Sequence, residues 1–263
     1  MPRRWNILEE KEKFKELKRL YVVNNKTIGE IAELLSLGES TIYQRLLRLG
    51  ITPVPSKKSR YRNRNISINI PKRYSVDLAE FIGILLGDGH ITPTQVTVTL
   101  GTKDEFIDYV AQLMKKLFGD TPKIITTNDN GKVVYIGSTV LVRWLLAMGL
   151  VFNKVKHQVG IPRWCLSRRS YMKRVIRGLI DTDGSVYRLR DGVQISFCNR
   201  SRPLLESARS ILLNLGYSPS KISGYNIYLT RRGDLIKYFN EVGFSNRKHQ
   251  KRFLEFTNNG RFA

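Results

Sequence analysis

The chain has 263 residues, 41% of them apolar, which is enough for a folded core and for more than one domain. Forty-five Lys and Arg against 22 Asp and Glu leave a net charge of +23, a field that repels itself unless it meets a polyanion such as nucleic acid. A disordered basic tail is excluded by the core. A membrane-spanning chain is excluded because no stretch reaches the roughly 18 apolar residues required. Ribosomal and membrane-surface proteins carry similar charge, so the charge alone does not choose among them. In chain order, Leu8, Phe14, Leu17, Leu20 and Tyr21 lie on one face of a helix that should end near Asn24-Asn25. Thr27 is placed to cap a short helix carrying Ile28, Ile31, Ala32 and Leu34. Ser36-Leu37-Gly38 is a turn, and a third helix runs from Glu39 or Ser40 to Leu49, with Gly50 as its left-handed terminator.

Residues 27–51 resemble a helix-turn-helix, so residues 1–50 are expected to form a small all-α DNA-binding domain. Ser40, Thr41, Tyr43, Gln44, Arg45 and Arg48 would lie on the outer face of its third helix. Generic trihelical packing modules share this pattern. Residues 51–75 form a linker with Pro53, Pro55 and Pro71 and no acidic residue. Lys57, Lys58, Arg60, Arg62 and Arg64 within it suit a strand laid along phosphates, the alternative being an indifferent spacer. Tethering two DNA-holding modules raises the effective concentration of the second once the first has bound.

From about Val76 the chain is duplicated, with expected repeats at 76–160 and 161–263. FIGILLGDGHI from Phe81 aligns with VIRGLIDTDGSV from Val175, setting Asp88 on Asp183 and Gly83 on Gly178. GTKDEFIDYVAQLMKKLFG from Gly101 follows the apolar pattern of CNRSRPLLESARSILLNLG from Cys198, and Lys156-His157-Gln158 recurs as Lys248-His249-Gln250. Each copy reads as an α+β unit. Gly83 and Gly87, like Gly178 and Thr182, are small residues four apart, a spacing that lets two helix backbones approach closely. Their packing would bring Asp88 and Asp183 together at two helix C-termini, where a negative dipole end disfavours an isolated acid and a divalent cation relieves the conflict. A single Asp-Gly more often just ends a helix or opens a hairpin; two at matched positions argue for a site.

These two segments resemble the LAGLIDADG motif of homing endonucleases, and the two-copy arrangement resembles the single-chain members of that family. The likeness covers roughly residues 76–256, with Leu86 departing from the motif where the second copy keeps Asp181. It implies a pseudo-twofold α+β core whose antiparallel sheets form a DNA-binding saddle. It implies cleavage of both strands of a long double-stranded DNA site with Mg²⁺, for which Mn²⁺ can substitute. Asp88 and Asp183 would bind metal by carboxylate, and Gly87 and Thr182 by carbonyl. The family also carries a basic residue in each copy. Lys154 or Lys156, and Arg247 or Lys248, are the candidates, and the recurrence of Lys-His-Gln favours Lys156 and Lys248. His157 and His249 suit capping or packing, and polar pocket positions fall near Thr102 and Asn199.

Sequence reading is expected from strand faces: Gln95, Thr97 and Thr99 in one copy, Gln194 and Ser196 in the other, with Arg188, Arg190, Tyr225 and Arg231 nearby. Solvated sheet faces show the same alternation. Cys165 and Cys198 have neither disulfide density nor metal spacing. With no signal region, the chain is expected to be intracellular rather than secreted, in cytoplasm or an organelle, and to act as a monomer. No splice-junction residues flank it, so an intein is not expected. Two rival expectations stand: a DNA-binding regulator that does not cut, and an RNA-binding splicing maturase, since A-form and B-form duplexes are both polyanions.

Overall fold

The structure, a computed structural model, describes residues 7–51, 53, 68–101, 105–128, 130–190 and 192–258, with side chains from residue 12 onward. It is a mixed α+β fold with antiparallel sheets. Two compact units divide it. One comprises 1–70, 91–96 and 137–152, the other 71–90, 97–136 and 153–263. The division is not contiguous in sequence. Among the described residues no helix is long and apolar enough to cross a membrane.

In the first unit, α1 (Ile7–Lys18) continues into a π-helical turn, Arg19–Val23. After Asn25, which takes the left-handed region at φ 51°, Thr27 opens α2 (Ile28–Leu34). Its hydroxyl accepts from the Glu30 amide at 3.2 Å and the Glu30 carboxylate accepts from its amide at 2.6 Å. That reciprocal pair satisfies two of the orphan donors at the helix start and is worth about 1 kcal/mol. The helix α3 (Glu39–Arg48) then stops at Gly50, φ 69°. Leu17, Tyr21, Ile31, Ile42 and Leu46 bury their side chains together, with Trp144 and Ala147 packed against them. The latter two come from α6 (Thr139–Ala147), nearly a hundred residues further along. From the same helix the buried Arg143 donates to the carbonyls of Tyr21 (3.2 Å) and Lys26 (2.8 Å) and lies 4.4 Å over the Tyr21 ring.

The second unit is organised by α4 (Val76–Gly87) and α7 (Arg169–Asp183). Each leads directly into a hairpin: β1 (Gly89–Ile91) and β2 (Gln95–Leu100) after the first, β5 (Gly184–Leu189) and β6 (Gly192–Cys198) after the second. A 13-residue helix follows in both copies, α5 (Phe106–Phe118) and α8 (Arg202–Asn214), as the repeat predicts. Strands β3 (Lys123–Thr126) and β4 (Lys132–Gly137) complete a sheet of order β1-β2-β4-β3. In the second copy, among the described residues, β7 (Asn226–Leu229) alone is added, giving β5-β6-β7. The copy closes with α9 (Arg232–Glu241) and α10 (Arg247–Asn258).

The pairing of α4 with α7 rests on the small residues. A methyl group at Gly83 would strike the Val175 carbonyl and lie 3.1 Å from the Gly178 Cα, and one at Gly178 would lie 2.7 Å from the Ile84 amide. These are backbone atoms that cannot swing aside, so glycine is obligatory for the approach. Between the helices lies one fully buried acid, Glu80. It accepts from Arg177 through Nε (3.0 Å) and Nη2, from Arg174 (3.1 Å), from the Tyr109 hydroxyl (2.6 Å) and from the Ser245 hydroxyl (2.6 Å). Burying a carboxylate costs several kcal/mol when unpaired, so this acid depends on its full set of donors.

Candidate active site and nucleic-acid interface

Asp88 and Asp183 stand at the C-terminal ends of the paired helices. Asp183 is the last residue of α7, and Asp88 caps α4, its amide bonded to the Ile84 carbonyl at 3.0 Å. The first strand of each hairpin starts at the next glycine, so Asp-Gly is here a helix-to-strand junction and not a hairpin turn. The two ends touch. A methyl at Gly87 would run into the Thr182 hydroxyl and lie 3.5 Å from the Asp183 carboxyl carbon. Thr182 itself turns its hydroxyl back onto the Gly178 (2.8 Å) and Leu179 carbonyls (3.1 Å).

Asp183 is held by Asn199, whose amide donates to Oδ2 at 2.6 Å. Burial raises the Asp183 pKa, while Asn199 and Lys154 pull it back down. The charged carboxylate therefore lacks solvation that a cation would restore. Lys154 reaches the same place. Its ammonium donates to the Gly87 carbonyl and to the Leu85 carbonyl (3.3 Å), at the end of α4. Burial lowers its pKa, and the charges of Asp183 and Asp88 oppose that shift.

Of the two candidates in the first copy, Lys154 and Lys156, it is Lys154 that lies against the end of α4. Lys156 and Lys248 are both exposed, and the group brought to the carboxylates is Lys154, two residues earlier, after Asn153 at φ 52°. In the second copy the position aligned with Lys154 is Asn246. Its amide donates to the Asp181 carbonyl at 3.0 Å, near the end of α7. Arg247 points elsewhere, to the exposed Glu105 at 3.4 Å. His249 is buried beside Phe244 and its pKa is depressed to about 4, chiefly by burial, whereas His157 is exposed. The buried histidine accordingly acts in packing. Asp181, the acid that Leu86 replaces in the first copy, is buried, accepts from the Ser245 amide at 2.8 Å, and has its pKa pushed well up by desolvation.

The predicted DNA contacts divide. On α3, Ser40, Tyr43, Gln44 and Arg48 are exposed and Thr41 half-buried, but Arg45 is only 8% exposed and belongs to the interior face. Lys57, Lys58, Arg60, Arg62 and Arg64, and Thr102, lie outside the described residues. Gln95 is half-buried and Thr99 exposed, but Thr97 is buried with its hydroxyl donating to the His90 carbonyl at 3.1 Å. Ser196 is likewise buried, on the middle strand with Ser185 and Tyr228 as its cross-strand neighbours. Thr97 and Ser196 therefore cannot serve as free base-reading groups in this conformation. Gln194 is half-buried and accepts from the Tyr187 hydroxyl. Arg188 and Arg190 are exposed but share the parity of the buried Val186, at the sheet's end. Tyr225 is exposed, and Arg231 donates to the Ser218 hydroxyl at 3.1 Å.

The polar face of β5-β6-β7 also includes Ser185, Tyr187, Asn226 and Tyr228, which strand alternation around Gln194 would have identified. Lys123 and Tyr135, paired across β3 and β4, are corresponding groups in the first sheet. Among the described residues no cluster of three or more His, Cys, Asp or Glu is placed to hold a metal. The available hard donors are two carboxylates and the helix-end carbonyls.

Residues 170–257, which contain Asp183, Asn199 and Asn246, match the LAGLIDADG-like domain family. Among curated proteins the chain is similar to the replication factor C small subunit of Methanocaldococcus jannaschii, 26% identical over 194 residues, covering 69% of this chain and 10% of that protein. The chain spans between about a tenth and a fifth of the length of the first curated relatives it matches. Among solved structures it is similar to a point variant of I-DmoI in complex with its target DNA in the presence of Mg, at 18% identity and TM-score 0.45, covering 64% of this chain and 96% of that one. It is also similar to the N-terminal LAGLIDADG domain of DUF199/WhiA, at 15% identity and TM-score 0.47, covering 69% and 90%.

Proposed function

We propose that the chain is a site-specific DNA endonuclease of the homing type, hydrolysing both strands of a long duplex target with a divalent metal. The observation that carries this is the meeting of Asp88 and Asp183 at two close-packed helix ends. Two acids are brought together where the backbone is already negative, and an ammonium is set against them. The donor chemistry fits Mg²⁺: hard oxygens throughout, and one carboxylate short of solvation. Asp88 and Asp183, with the carbonyls of Gly87 and Thr182, would hold the metal. Bound there, Mg²⁺ or Mn²⁺ supplies Lewis acidity at a phosphate and lowers the pKa of a bound water.

The chain's own groups have separate tasks. Asn199 orients Asp183, and Lys154 holds a proton beside the reacting phosphate. The outward polar groups of the two sheets meet base edges and backbone, and the net charge of +23 holds the polyanion. Residues 27–51 act as a helix-turn-helix, with Ser40, Tyr43, Gln44 and Arg48 toward DNA and the basic 51–75 segment along phosphates. The chain works as a monomer, because both halves of the site lie in one polypeptide.

The second reading is a DNA-binding protein that keeps this scaffold without cutting. It is favoured by the ammonium occupying the Gly87 carbonyl. A library of duplex targets incubated with protein separates the two readings. The enzyme cuts in Mg²⁺ and binds without cutting in Ca²⁺, and Asp88→Asn or Asp183→Asn lowers cleavage by roughly a thousandfold with binding kept, equivalent to about 4 kcal/mol. Binding to discrete sites with no product in Mg²⁺ or Mn²⁺ selects the non-cutting protein.

A further inference from the structure

The two halves of the site differ at one pair of aligned positions, Lys154 and Asn246. Both side chains perform the same mechanical task. Each crosses to the end of its copy's motif helix and donates to main-chain carbonyls there: Leu85 and Gly87 for Lys154, Asp181 for Asn246. One brings a full positive charge and the other none. The Gly87 carbonyl that takes the ammonium is also one of the oxygens available to a metal, so the two cations would meet at one oxygen and repel each other. A unit charge a few ångströms from two carboxylates in a partly buried site is a strong electrostatic competitor for another cation.

We propose that Lys154 is a tethered counter-ion occupying a divalent-cation position between Gly87 and the Asp88 and Asp183 carboxylates, so that metal enters there only by displacing the ammonium from Gly87. Asn246, at the aligned position of the second copy, is neutral and adds no second competing charge. This rests on the metal-site reading above and adds to it a residue that regulates loading.

The test is a Mn²⁺ titration of the full chain without DNA, following the free ion by electron paramagnetic resonance. Lys154→Met, with Lys154→Gln as a second neutral variant should the first fold poorly, is expected to bind Mn²⁺ about tenfold more tightly than wild type. Where wild-type binding is too weak to register, the neutral variants become measurable. Lys154→Arg, which keeps the charge, binds no more tightly than wild type. Unchanged or weaker binding in both neutral variants overturns the inference. So does equal tightening in Lys154→Arg, which would assign the effect to loosened packing. Tightening that survives in an Asp88→Asn, Asp183→Asn background places the ion elsewhere and also overturns it. By contrast, if those two substitutions leave wild-type Mn²⁺ binding intact, the metal-site reading itself fails.

Discussion

The two copies of the repeat agree at the glycines of the helix contact and at the acids that end it, and diverge at the side chains around them. Gly83 and Gly178, and Asp88 and Asp183, occupy equivalent places on α4 and α7, and the approach of the helices depends on both glycines. One layer away the symmetry is gone. Glu80 aligns with Val175, Leu86 with Asp181, Lys154 with Asn246, and exposed His157 with buried His249. A mutual contact constrains both partners at once. A side chain outside that contact is free to differ between the copies, and the buried polar groups around the two helices are not alike. The Glu80 cluster serves the start of the pair, and Asp181 with Ser245 and Asn246 serves the end of α7.

The most damaging way to break this comparison is at a shared position. Gly178→Val should lower stability by roughly 4 kcal/mol or more, since its side chain meets the Glu80 carbonyl and the Ile84 amide and the helices must part. Urea denaturation measures this, and a loss under about 1 kcal/mol would mean that the helices do not approach as described. A divergent position gives the next effect. His249 is buried neutral, with its folded pKa depressed to about 4 from 6.5. Its contribution is therefore fully present above about pH 6.5 and lost as the pH falls through 4, about 3 kcal/mol in all. His249→Phe should flatten the stability profile over that window while His157→Gln leaves it alone. Identical profiles for all three proteins would remove the distinction. The smallest effect concerns helix starts. Ser75 caps α4, accepting from the Leu78 amide at 3.1 Å, but Arg168 at the start of α7 makes no side-chain cap. Ser75→Ala should cost about 1 kcal/mol and Arg168→Ala only a few tenths, readable as a difference in melting temperature.

Much of this was legible in the residues. The motif spacing located both helices, their pairing chemistry and the two acids, because small residues at four-residue intervals admit few other uses. The capping pair Thr27 and Glu30 and the stop at Gly50 were readable for the same local reason. The preference between the two basic candidates rested on recurrence, which has a built-in limit. Recurrence of Lys-His-Gln pointed to Lys156 and Lys248, and recurrence finds what the copies share. The group that reaches the acids stands where they differ. Strand alternation put Thr97 and Ser196 on an outward face, as their parity requires, but both are buried, Thr97 on the His90 carbonyl and Ser196 on the middle strand. Arg45 shows the same limit on a helix: the whole side chain is buried on the interior side of α3.

Arg143 carries a consequence for anyone cutting or grafting this chain. Its guanidinium sits on the carbonyls of Tyr21 and Lys26, so the amino-terminal helices complete the surroundings of a cation contributed by α6. A fragment begun at residue 71 exposes that guanidinium together with Trp144 and Ala147, and a fragment ended at residue 51 exposes the underside of Leu17, Tyr21 and Leu46. The transferable piece is a non-contiguous one, so the helices of residues 7–51 and the segment from 137 to 152 must travel together.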